Sequence, residues 1–105
     1  MIRESTKDDI RYVTLNMRQI DWREISPLLF APDKNIMAEQ TWERCKDLAW
    51  TAFNKNDEPV AVFGAYIISP RVAAIWLWAT HKIEKRVWVE ITKLGNNLLD
   101  RLFES

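Results

Sequence analysis

Residues 59–80 read PVAVFGAYIISPRVAAIWLWAT, and the fold turns on them. Pro59 to Ile68 alternates between two largely apolar sets, Pro70-Arg71 marks a turn, and Ala73 to Thr80 is a strong strand. Just upstream, Trp50 to Asn54 is short and apolar, and Asn54-Lys55-Asn56-Asp57 is a turn signature. Strands that follow one another through short connections predict an antiparallel meander. In the last of them Trp76 and Trp78 share a face with Ala74 and Thr80, while Ile75, Leu77 and Ala79 take the other. Both faces are apolar, so helices are expected on both sides, or else an aromatic surface is left open to a partner.

The flanks supply those helices. Ile2 to Glu4 reads as a short first strand. Ser5 and Thr6, each three residues before an acid (Asp8, Asp9), form a doubled capping-box pattern. Ile10, Val13, Met17 and Ile20 then recur at helical spacing, which predicts a helix over 7–19. Asp21 with Glu24 repeats the capping pattern and predicts a short second turn of helix. Ser26 to Asp33, with two prolines, reads as a loop. A further helix is expected over Asn35–Leu48, with Ala38, Trp42, Cys45 and Ala49 on one face and Glu39, Glu43, Arg44 and Lys46 on the other. After the meander, Thr80 is placed to cap a last helix over Lys82–Phe103, whose stripe is Val87, Ile91, Leu94, Leu98 and Leu102, with Asp100 and Arg101 facing water. The order is β-α-α-β-β-β-α: one α+β domain over 1–105, an antiparallel sheet packed by helices.

Composition narrows the chemistry. Fifteen basic residues balance fifteen acidic ones, so there is no general electrostatic attraction to nucleic acid. The six tryptophans have no basic stripe among them for stacking on single strands. One cysteine and one histidine exclude an internal disulfide, a cysteine zinc site and a histidine-pair metal motif. No apolar run approaches the roughly 20 residues of a membrane span, and MIRESTKDD is too charged for a signal peptide. A soluble protein of a reducing compartment is the expectation. Two glycines in 105 residues leave little for a phosphate-cradling loop.

Ile2-Arg3-Glu4-Ser5-Thr6 followed by Asp8-Asp9-Ile10 is similar to the first strand and helix start of the GNAT superfamily of N-acetyltransferases. Asp57-Glu58-Pro59-Val60-Ala61-Val62-Phe63-Gly64 resembles its second hairpin. Tyr12-Val13, Asn16-Met17-Arg18, Asp21, Glu24-Ile25, Phe63-Gly64 and Trp76-Leu77-Trp78-Ala79-Thr80, in that order, resemble GNAT-like proteins of tailed bacteriophages, some of them internal virion or core proteins. The resemblance implies the first two-thirds of the GNAT fold, truncated before the fifth strand, the further helix and the last strands. It departs from the family where coenzyme A is held. The family's glycine loop after the fourth strand, whose amides hold pyrophosphate, falls here on His81 to Glu90, which has no glycine and carries Val87, Trp88 and Val89. Gly95 lies well inside the predicted helix, and neither Tyr12 nor Tyr66 stands where the family's tyrosine acid would be.

The candidate site residues follow. His81, at the strand end where GNAT enzymes build their site, is a candidate general base or a surface histidine with no chemical role. Glu84 and Glu90 are candidate bases or members of a solvated helix face. Lys82, Lys85 and Arg86 are a candidate phosphate or cofactor site, or a solvated face interleaved with acids. Cys45 reads as a buried free thiol, since no base accompanies it. Trp76, Trp78 and Thr80 are candidate partner-binding residues or core: the resemblance implies that the 73–80 strand lacks the fifth strand that pairs with it in the family, leaving an edge unless the last helix, a second copy or another protein covers it.

Two functions emerge. One is a non-catalytic GNAT-like phage protein acting through protein contacts, either a virion component or an inhibitor of a host or defence enzyme. It needs no cofactor, and its place is the host cytoplasm or the virion. The other is an acetyl-CoA-dependent N-acetyltransferase, completed by a second chain. A fragment of a longer product is a third reading.

Overall fold

The computed structural model describes residues 1–28, 32–45 and 48–104. It contains β1 (Ile2–Glu4), α1 (Lys7–Leu15), α2 (Gln19–Ile25), a 3-10 turn (Ser26–Leu28), α3 (Lys34–Cys45), β2 (Ala49–Phe53), β3 (Pro59–Ser69), β4 (Val72–Ala79) and α4 (Lys85–Glu104). The four strands form one antiparallel sheet in the order β1-β2-β3-β4. The α+β meander read from the sequence is what forms.

Two packed layers flank the sheet. On one face Ile10, Val13 and Met17 meet Met37, Ala38 and Cys45 of α3 and Val62 and Trp78 of the sheet. On the other face Val87 and Ile91 of α4 cover Ala52, Ala61, Phe63 and Ala79. Burial of these side chains is the main stabilising contribution. Both faces of the sheet are thus covered by helices.

The helix boundaries differ from the expectation in four places. The helix expected over 7–19 ends at Leu15. The Asn16 N–H turns back to Tyr12 and Thr14 carbonyls, and Met17 then pairs with Thr80 in an isolated antiparallel bridge. Tertiary pairing with a strand far along the chain overrides the local periodicity. A separate helix begins at Gln19, so Asp21 does not cap it; no side chain does. Thr6 alone makes the first cap, in a reciprocal box with Asp9, and the Ser5 hydroxyl instead pairs with Thr51 Oγ1 at 2.7 Å. The last helix starts at Lys85 rather than Lys82. Thr80 Oγ1 accepts from the Lys82 N–H and its carbonyl from the Ile83 N–H, closing a turn before the helix. The expected 35–48 helix runs Lys34–Cys45, with Asp33 Oδ1 accepting from the amides of Asn35 and Ile36. Residues 29–31 of the expected loop, Lys46, and the side chains of Leu98, Asp100, Arg101 and Leu102 lie outside the described residues.

Candidate functional site

The two edges of the sheet are built differently. β1 is three residues long and carries Arg3 and Glu4, the short charged form that discourages pairing with other chains. β4 is eight residues long, Val72-Ala73-Ala74-Ile75-Trp76-Leu77-Trp78-Ala79, with no charge, proline or glycine.

In the β3–β4 ladder Val62 stands opposite Trp78 and Gly64 opposite Trp76. The Thr80 N–H bonds to the Val60 carbonyl at 2.9 Å, so even-numbered residues of this stretch bond inward and odd-numbered ones present their N–H and C=O outward. At Ala79 the outward groups are satisfied from within the chain. Its carbonyl accepts from the Arg18 N–H at 2.8 Å, and its N–H donates to Asp21 Oδ2 at 3.2 Å. Arg18 fixes that carboxylate through two hydrogen bonds of 2.8 and 3.1 Å, and its guanidinium lies 5.2 Å from the Trp88 ring centroid. The α1–α2 junction therefore acts as a short substitute strand at the end of β4. Beyond it, the outward backbone groups of Leu77 and Ile75 have no hydrogen-bond partner among the described residues. Ile75 is 50% exposed and Val72 51%.

Beside this edge lies a groove between β4 and α2. A cavity of about 330 Å³ is bounded by Glu24 and Ile25 on α2 and by Trp76, Leu77 and Trp78. A second, of about 250 Å³, continues over Trp76 toward Met37, Arg44 and Cys45 of α3. The rings of Trp76 and Trp78 lie 4.7 Å apart at 38°. Of the sequence-predicted contact residues, Trp78 and Thr80 are buried, at 8% and 5% exposure, while Trp76 is half-buried; both tryptophans line both cavities. Among the three, Trp76 is the most accessible, and the exposed Val72 and Ile75 lie on the same strand. The Trp76 Nε1 is buried without a hydrogen bond of good geometry among the described residues. Burial pushes the Cys45 thiol up, and the neighbouring Trp76 indole and the Arg44 charge pull it back only in part. A thiol held in its neutral form is a poor nucleophile.

The charged candidates gather elsewhere. His81 is exposed in the turn before α4, and neither it nor Glu84 lines either cavity. Lys82 Nζ reaches Glu58 Oε2 on the β2–β3 turn at 2.6 Å, Arg86 lies 3.8 Å from Glu84, and Glu90 lies 3.8 Å from the amino terminus. Lys85 is exposed. The ion pair with Lys82, helped by a hydrogen bond from Asn54, holds the Glu58 carboxyl below its ordinary value and raises Lys82. A carboxyl lowered by folding favours the folded state above its unfolded pKa, and this contribution is lost as pH falls through the folded value. The expected result of a pH titration by NMR is a Glu58 carboxyl midpoint below that of other exposed glutamates. It should move toward the ordinary range in Lys82→Gln and in high salt. An unchanged midpoint in Lys82→Gln would show that the Asn54 hydrogen bond sets it.

Arg18 and Asp21 are the positions whose role the sequence concealed. Asp21 carried a helix-cap signal, yet its partner is a strand amide 58 residues away. Nor did any local pattern mark Glu24 as the wall of a groove. No cluster of metal-ligating side chains occurs among the described residues, and none of their helices is long and apolar enough to cross a membrane. No protein-family model, curated protein or solved structure matches the chain.

Proposed function

We propose that this chain is a GNAT-like scaffold of phage type that works through protein contacts at the outer edge of β4 rather than by acyl transfer, as a virion component or as an inhibitor docking on a host enzyme. One observation carries this reading: the long, uncharged β4 leaves the backbone of Ile75 and Leu77 open beside a half-buried Trp76 and a groove walled by Glu24, Ile25 and the two tryptophans. An edge of that kind offers main-chain hydrogen bonds for affinity and side-chain pockets for specificity. The element order and the placement of α1 and α3 opposite α4 are compatible with the GNAT resemblance.

Two amides of the turn after β4 are withdrawn from any acyl-CoA site. A pyrophosphate cradle needs free amides. Here the amides of Lys82 and Ile83 are consumed by Thr80, and Lys82 is paired with Glu58. Calorimetric titration with acetyl-CoA and with CoA is expected to give no saturable heat. Immobilised wild-type protein is expected to retain a protein from its native source that Ile75→Lys does not. One-to-one binding of acetyl-CoA, or retention untouched by Ile75→Lys, overturns the proposal.

A further inference from the structure

Resting on the reading of β4 as a docking edge, we infer that its occupant is a second copy of this chain, paired antiparallel with the first about a two-fold axis through Ile75.

The open stretch is self-complementary in backbone and in volume. Antiparallel pairing centred on Ile75 sets Ala73 against Leu77 of the second copy, Ile75 against Ile75, and Leu77 against Ala73. These are the residues whose N–H and C=O face outward, so each pair exchanges both backbone hydrogen bonds. The intervening pairs set Ala74 against Trp76. Leu77 and Trp76 thus each stand opposite an alanine position, and Ile75 meets its own copy on the axis. A symmetric interface requires a patch that fits itself, and this register supplies one.

The length matches too. Pairing cannot continue past Leu77, because the outward groups of Ala79 are already held by Arg18 and Asp21. The second copy need not continue there, since its chain leaves the sheet at the Pro70–Arg71 turn just before Val72.

Charge settles the orientation. In this register the second copy turns away from the seam at Arg71, beside the Arg18–Asp21 junction that already holds Ala79. Glu24 projects from α2 one turn beyond Asp21, on the wall of the groove beside Trp76 and Trp78. Arg71 and Glu24 are exposed, and neither makes an ion pair among the described residues. The two-fold axis creates the Arg71–Glu24 pair twice. With no net charge on the chain and none on β4, nothing opposes approach of two copies.

Sedimentation velocity and light scattering across a concentration series test this. The wild type is expected to be a dimer with a micromolar Kd, as suits a seam confined to one strand and two ion pairs. Ile75→Lys, a substitution at a half-exposed position, is expected to give a folded monomer by circular dichroism. Glu24→Arg is expected to weaken dimerisation by about tenfold, and Glu24→Arg with Arg71→Glu to restore it to within about threefold. A wild type that stays monomeric up to about 1 mM overturns the inference, and so does a dimer indifferent to all three variants. A monomeric wild type leaves the docking edge itself to be judged by the capture experiment with Ile75→Lys, so the two failures are separable.

Discussion

Replacing Gly64 by alanine is expected to lower the melting temperature by on the order of 15 °C, equivalent to about 3 kcal/mol. Gly64 sits in the middle of β3, between Ala49 of β2 and Trp76 of β4, where glycine ordinarily weakens a strand. It is required here by space. A Cβ would run into the Leu48 carbonyl oxygen and lie 2.9 Å from Cζ2 and 3.1 Å from Cε2 of Trp76. The carbonyl is backbone, and it is held by the Ala65 N–H at 3.0 Å. The indole also packs against Trp78, with ring centroids 4.7 Å apart. Neither neighbour yields without disturbing the sheet, so the damage should reach the groove that Trp76 lines. The opposite result is expected at Gly95, inside α4, where an added Cβ meets nothing within 4 Å. Gly95→Ala should raise stability by about 0.5–1 kcal/mol through helix propensity alone. Thermal unfolding of the two variants checks both signs. A Gly64→Ala protein melting with the wild type would mean that the strand slides to admit the methyl.

The same pair of residues marks how far the sequence reading reached. That Trp76 shares a strand face with Trp78 followed from period-two alternation, and the Asn54–Asp57 turn followed from its residue types. Both are local. Asn54 Oδ1 takes the amides of Asn56 and Glu58 at 2.9 and 3.0 Å, and Asp57 adopts φ 60°, a conformation aspartate tolerates better than most residues. That Trp76 lies over Gly64 depended on strand register, which no local pattern specifies. The break after Leu15 was concealed for a related reason. Met17 keeps its place in the apolar periodicity and is buried, yet it is held there by pairing with Thr80 rather than by helix. Lys82 read as one of a basic cluster because its partner, Glu58, is 24 residues back on another turn. Local chemistry was legible; whatever depended on two distant segments meeting was not, and the closure of the β4 edge by Arg18 and Asp21 is of that kind.

Asp9 is where the second large effect is expected. Asp9→Ala should cost about 3 kcal/mol, from a lost cap and from buried donors left without an acceptor. The carboxylate is 7% exposed and joins three segments. It accepts from Arg3 of β1 at 2.8 and 3.3 Å, from the Thr6 amide of the α1 cap at 3.0 Å, and from Thr51 Oγ1 of β2 at 3.4 Å. Its own amide donates to Thr6 Oγ1 at 3.2 Å. Asp9→Asn keeps the volume and an acceptor oxygen but removes the charge, and should cost about half as much. Arg3→Ala should cost about 1 kcal/mol or less, because that side chain is 45% exposed and its ion pair is screened by solvent. The order Asp9→Ala, Asp9→Asn, Arg3→Ala in denaturant unfolding therefore separates the buried network from the surface ion pair. Equal losses for Arg3→Ala and Asp9→Ala would place the stabilisation in the ion pair instead. The network also bears on the two edges. Asp9 pairs with Arg3, and Arg3 in turn lies 4.6 Å over the Phe53 ring, so both contacts meet at the charged β1 edge. Losing Asp9 should loosen that guarded edge.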